Sequence, residues 1–284
     1  WANAANYNAT AIGSEAQAIA DYAQAMGYQS KASGLASNAI GWNAGATAHD
    51  ATAIGSGAKA TAQNATAIGS GAKADGNDAT ALGYKSNASG WSSFAQGSSA
   101  LASGDKSISI GDSSKATADR SIAIGDEAST DNQSASNTST TKTQTNRQSV
   151  AIGPRTQAWG DQSTAIGNNV KSSGNSSVAI GGDDIVIVKN QYEGLYQSIT
   201  GQALPGGIPA TESAGGASVA VGVGASSQGQ FSTAIGMTSS SSGDGAVAIG
   251  PTANASGLAG VAVGIQSKAS AKKTTAIGSL ATAT

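Results

Sequence analysis

The chain has no cysteine, so neither a disulfide framework nor thiolate chemistry is open to it, and its single histidine excludes a histidine-rich metal site. Charged residues make up 11% of its 284 residues and the formal net charge is -2, which offers no electrostatic case for nucleic acid or anionic lipid. Aromatic residues are 4%, too few for an ordinary globule with a large core. No apolar run approaches the roughly 20 residues of a membrane-spanning helix, and Trp1 opens directly into a repeat without a leader pattern. What the chain has in quantity is glycine, 39 residues, set among alanine, serine and threonine.

The glycines keep time. Ala51-Thr52-Ala53-Ile54-Gly55 recurs as Ala65-Thr66-Ala67-Ile68-Gly69, fourteen residues on. The same glycine stands at 13, 27, 41, 55, 69, 83, 97, 111 and 125, then at 153, 167 and 181, and again at 222, 236, 250, 264 and 278. A fixed short period is the signature of a solenoid, and a disordered chain has no reason to hold isoleucine before glycine at every beat.

Each position of the period has its own character. The residue before the glycine is large and apolar, as in Ile54, Leu82, Ile124, Ile180, Val221 and Ile249, with Gln96 the exception. Three before it stand Thr52, Phe94, Ile108, Val150, Val178 and Val247. Side chains alternate along a strand, so these β-formers share one face, while the positions two and four before the glycine hold only Ala, Ser, Gly or Thr. After the glycine, small residues such as Ala58, Ala60 and Ala62 alternate with polar ones, and Lys31, Lys59, Lys73, Lys115, Lys171 and Lys268 all lie four past their glycine. A small-in, polar-out pattern belongs to a strand with one wet face. Each coil therefore reads as two short strands joined by two turns, one at the glycine and one near pairs such as Gln63-Asn64 and Asn77-Asp78. The glycine answers a need for positive φ or for a close backbone approach.

On this reading the core of a coil lies between the isoleucine-bearing strand and the alanine-bearing one. The ladder of small residues on the other face of the isoleucine strand is then expected to be the contact between subunits, in a homo-oligomer of closed cyclic symmetry; the alternative is that those small residues face water.

The pentads Ser149-Val150-Ala151-Ile152-Gly153, Ser177-Val178-Ala179-Ile180-Gly181 and Ser121-Ile122-Ala123-Ile124-Gly125 closely resemble the head motif of the YadA-like heads of trimeric autotransporter adhesins. The resemblance implies an all-β fold, a left-handed parallel β-roll with a 14-residue repeat, and a homotrimer in which each chain meets two identical subunits. It implies display on the cell surface, at the outer membrane of a Gram-negative bacterium, with the neck, stalk and membrane anchor lying outside this stretch.

Residues 1–284 are thus expected to form one YadA-like head, with repeat blocks at 1–125, 149–181 and 215–284. The polar interruption 126–148 is either a degenerate coil or, preferably, a loop. The stretch 182–214 is a true insertion, since Gly181 and Gly222 stand 41 residues apart, and the β-formers from Ile185 onward suggest an inserted hairpin or loop. Loops on rigid scaffolds often carry binding, which makes Tyr192 and Tyr196 the candidate ligand-binding residues; the competing and favoured fate is that both pack to hold the insertion down.

No catalytic, cofactor-binding or metal-binding residue is expected. Gly55-Ser56-Gly57 and Gly222-Val223-Gly224 do not complete a nucleotide fingerprint. His49 beside Asp50 reads as a solvated turn, Asp183-Asp184 and Asp126-Glu127 as surface charge, and Trp42, Trp91 and Trp159 as residues packed over neighbouring turns. The expected function is that of a non-enzymatic adhesin head that attaches to host extracellular matrix, cell-surface molecules or abiotic surfaces and supports autoaggregation, with no nucleic-acid partner and no cofactor. The alternatives are an ice-binding solenoid and a purely structural spacer. A solenoid enzyme would need clustered carboxylates, arginines or histidines on one face, and the sequence has none.

Overall fold

The coil of residues 52–65 contains all the local geometry of the fold. Thr52–Ile54 and Lys59–Ala60 are its strands. Between them the amide of Ala58 donates to the carbonyl of Gly55 at 3.2 Å, and at the far end the amide of Ala65 donates to that of Ala62 at 3.2 Å. The third residues of these turns, Gly57 at φ 66° and Asn64 at φ 56°, are left-handed, as a type II turn requires. Gly55 itself sits at φ 128°, and a Cβ there would lie 2.6 Å from the carbonyl oxygen of Gly69 in the next coil, so positive φ and close approach are both required.

The structure, a computed structural model, describes residues 1–130, 148–201, 203–204 and 210–284. It divides into two units, Trp1–Thr130 and Asp131–Thr284. In the first, three-residue strands from Thr10–Ile12 to Ile122–Ile124 stack in parallel, and two-residue strands from Asn3–Ala4 to Lys115–Ala116 form a 9-stranded sheet. In the second, strands from Val150–Ile152 to Thr275–Ile277 stack likewise beside an 8-stranded sheet from Gln157–Ala158 to Thr282–Ala283. Paired strand residues are equivalents in neighbouring coils, Thr52 with Thr66 and Ile54 with Ile68. Both units are parallel β-rolls, as expected.

What fills the coils is the reverse of the expectation. Ala51, Ala53, Ala58 and Ala60 are fully buried and face one another inside the coil, whereas Ile54 is 36% and Ile68 39% exposed. The small ladder is the interior, and the isoleucine face is the outside. The cause is the length of the coil: two short strands closed by two-residue turns stand so near each other that the interior holds mostly methyl and hydroxymethyl groups, with valine and threonine as the upper limit among the described residues. Ordinary stacked sheets lie about 10 Å apart and take large side chains between them. Here the largest fully buried side chain is Val170.

In the second unit serine replaces much of the interior alanine, and many of its hydroxyls are satisfied within the coil, although the buried hydroxyl of Ser163 makes no hydrogen bond. Ser213 and Ser218 meet at 2.6 Å, as do Ser227 and Ser232, and the Ser218 hydroxyl lies 2.6 Å from the carbonyl of Gly215. A buried hydroxyl without a partner would cost about 1–3 kcal/mol, so these contacts allow serine to stand in for alanine.

The insertion leaves the stack unbroken. Val178 pairs with Val219, Ile180 with Val221, and Lys171 with Glu212, so the coils on either side meet directly. Thr211 seals the point of return: its hydroxyl contacts the carbonyls of Gly182 at 3.0 Å and Gly222 at 2.6 Å, and accepts from the amides of Gly182 and Gly224 at 3.2 Å each. The expected hairpin is instead a helix, α1, over Ile185–Thr200. A hairpin leaving the roll would carry unpaired edges, whereas a helix satisfies its backbone internally and presents one apolar side to the roll.

The interruption begins later than its composition suggests. Glu127 occupies the left-handed turn position at φ 52°, Ala128 is buried, and Ser129 bridges in parallel to Lys115, so 126–130 continue the last coil of the first unit. The choice between a degenerate coil and a loop falls on 131–147, outside the described residues.

If the interior is as narrow as its contents, Ala67→Leu forces the coil open and lowers stability by about 1–3 kcal/mol. Lys73→Ala on the wet face should stay within about 0.5 kcal/mol. Urea midpoints of the two variants measure the contrast.

Candidate functional site

Three surfaces qualify as interaction sites: the outward face of the three-residue strands, the wet face of the two-residue strands, and the helix. The first is a ladder of apolar side chains in register. In the second unit it runs Ile152, Ile166, Ile180, Val221, Ile235, Ile249, Val263, Ile277, each paired with the next across parallel strands. A parallel column of Val150, Val178, Val219, Val247 and Val261, interspersed with threonine, flanks it and is half-buried. A contiguous apolar stripe open to solvent on a single chain marks a contact surface.

The second surface behaves as expected. Lys31, Lys59, Lys73, Lys115 and Lys268 are exposed on the two-residue strands, and Lys171 meets Glu212 at 3.4 Å across neighbouring coils. Further ties between coils come from side chains one period apart, such as the Thr61 hydroxyl to Asp75 at 2.7 Å and the amide of Trp91 to Asp105 at 2.9 Å. Trp42 and Trp91 were expected to pack over adjacent turns; both remain exposed, and only a lysine ammonium, that of Lys106, lies 4.5 Å over the Trp91 ring. Trp159 is half-buried beneath Lys171 at 5.0 Å.

His49 Nδ1 lies 2.6 Å from Asp50 Oδ2 on a half-exposed turn. The Asp183 carboxylate is held by the side-chain amides of Asn168 and Asn169, at 3.2 and 3.0 Å. Among the described residues no group of three or more His, Cys, Asp or Glu side chains could hold a metal ion, and no helix is long and apolar enough to cross a membrane.

The two tyrosines separate. Tyr196 is buried against the roll, its hydroxyl 2.7 Å from that of Thr252 and 2.8 Å from the amide nitrogen of Gln266. Tyr192, one helical turn earlier, is 53% exposed. Both line an open apolar groove between α1 and the roll, with Met237, Pro251 and Ile265 as its floor. Those three residues each follow a repeat glycine. The same position in the first unit holds Ser56, Ser70, Ser98 and Asp112 but also Tyr28, Trp42 and Tyr84, so its residue type alone does not announce that α1 covers these turns.

Nine segments, 4–23, 18–44, 46–72, 74–101, 102–128, 145–169, 213–239, 241–264 and 255–281, match the model of the YadA head domain repeat (2 copies), and together they span well over half of the chain. The chain belongs to the YadA head family. YadA heads are parts of surface-exposed trimeric autotransporters with an adhesin-like role, and the family is generally not enzymatic. The matches skip 170–212, a stretch that contains α1 together with the repeat strands Lys171–Ser172 and Val178–Gly181. No curated protein matches the chain.

Tyr196→Phe removes the hydroxyl that ties α1 to Thr252 and Gln266. A loss of about 1–1.5 kcal/mol in local docking is expected, read as roughly tenfold faster amide exchange across 188–199 with the strands unchanged.

Proposed function

We propose that this chain is the head of a homotrimeric, cell-surface adhesin. Three copies pack their isoleucine, valine and threonine ladders around a common axis and turn their lysine-bearing strands and turns outward. The observation that supports this reading is the in-register apolar ladder: it covers the outward face of both rolls, and a second and third copy of the same ladder are its simplest complement. The seam is therefore the isoleucine face and not the small-residue ladder named from the sequence.

The outward face then meets host extracellular matrix, cell-surface molecules or abiotic surfaces, and other heads in autoaggregation. Its charges are few and of both signs, so affinity comes from repetition: three chains offer each weak site several times over, and linkage multiplies the strength of attachment without new contacts. The site that makes the contact includes exposed aromatics such as Trp42 and Tyr192 as candidates.

Ice binding gains one point from the same geometry, because Thr52, Thr66 and Thr80 form a row on the outward face of a single chain. In a trimer that row lies in the seam. Absence of thermal hysteresis in the purified protein disposes of this second reading.

Ile235→Asp combined with Ile249→Asp places two carboxylates in the seam and should convert the protein from trimers to single chains in sedimentation at micromolar concentration, with its strand signal in circular dichroism retained. Binding to matrix-coated wells should fall with it, toward the level of a coiled-coil control. A wild-type protein that sediments as a single chain, or that binds no matrix, cell or surface above that control, would remove the proposal.

A further inference from the structure

Helix α1 carries more apolar surface than the roll beneath it covers. Val188, Tyr192, Leu195 and Ile199 follow one another at steps of four, three and four residues, the spacing of a coiled-coil seam, which puts them on one side of the helix. Only the edge of that stripe reaches the roll. Tyr196 beside it is buried, while Leu195 is 61% and Ile199 47% exposed. The stripe overhangs an open groove of about 160 Å³ with an apolar lining.

The floor of the groove continues the isoleucine ladder. Ile235 and Met237 are separated by Gly236 alone, Ile249 and Pro251 by Gly250, and Val263 and Ile265 by Gly264. One apolar surface thus runs from the ladder, around the glycine corner, to the underside of the helix. A body seated on the ladder that reaches around this corner would meet the overhanging stripe. In the first unit the same position holds Ser14, Ser56, Ser70, Ser98, Asp112 and Asp126 but also Tyr28, Trp42 and Tyr84, so the inference rests on the groove and the exposed stripe and not on the corner's composition alone.

We infer that the groove receives a second copy of this chain, so that α1 clasps the neighbouring subunit and adds to the seam a contact that the repeats alone do not make. The inference rests on the reading of the ladder as the seam between copies. An apolar ridge from the adjoining subunit fits between the stripe and Met237, Pro251 and Ile265, and closes a groove that one chain leaves open.

The test uses the whole chain with Leu195 replaced by the photoreactive amino acid p-benzoylphenylalanine, and a control with the same replacement at Gln197. Irradiation should produce a band of two chains on a denaturing gel for position 195 and none for 197. Leu195→Asp combined with Ile199→Asp, both exposed on a single chain, should raise the dissociation constant of the trimer at least tenfold with the strand signal unchanged. If the protein sediments as a trimer and position 195 links only within its own chain, or the double variant dissociates like wild type, the clasp is wrong and the seam stands. Equal two-chain bands at both positions also overturn the clasp. Sedimentation as single chains overturns the clasp and the seam together.

Discussion

A coil that closes in fourteen residues has almost no inside. Its two strands are held apart only by two-residue turns, and the gap admits alanine and serine but no isoleucine. From this one steric limit the rest follows. The interior is a column of methyl and hydroxyl groups, tied by main-chain hydrogen bonds from each coil to the next, such as Gly55 to Ile40 and Thr52 to Ala65. The large apolar side chains are driven outward, where one chain cannot cover them. A thin roll of this kind keeps its hydrophobic effect in reserve for association, because most of the area that burial would stabilise lies on the surface of the single subunit.

The division of labour between faces is therefore unlike that of a sandwich. In a sandwich the large side chains hold two sheets together and the fold is complete. In this chain the backbone and the alanines define the coil, the isoleucines stand on its outer face, and the lysine-bearing strand stays wet. The apolar corner under α1 continues that outer apolar face around the edge of the roll.

Much of this was legible before any coordinates. The period, the need for glycine at positive φ, the second turn at Gln63-Asn64 and the solvent face of Lys59 and Lys73 all came from spacing and residue type, since stacking in register forces equivalent residues into equivalent sites. The assignment of faces did not. Alternation tells which residues share a side but not which side is inside, and the habit of placing isoleucine in the core chose wrongly because the width of the gap was not weighed. The helix was missed for a related reason: the β-propensity of Ile185-Val186-Ile187-Val188 masked the helical spacing of Val188, Tyr192, Leu195 and Ile199. Of the two tyrosines singled out, one proved to be an anchor and the other a lining of the groove, a distinction that depends on which face of α1 meets the roll.

The direct pairing of Ile180 with Val221 across the departure of α1 has a mechanical meaning. Tension along the stack passes from coil to coil through the amide of Gly222 and the carbonyl of Ile180 and never enters the appendage. A roll built in this way can vary what projects from its side while the column that bears tension stays the same.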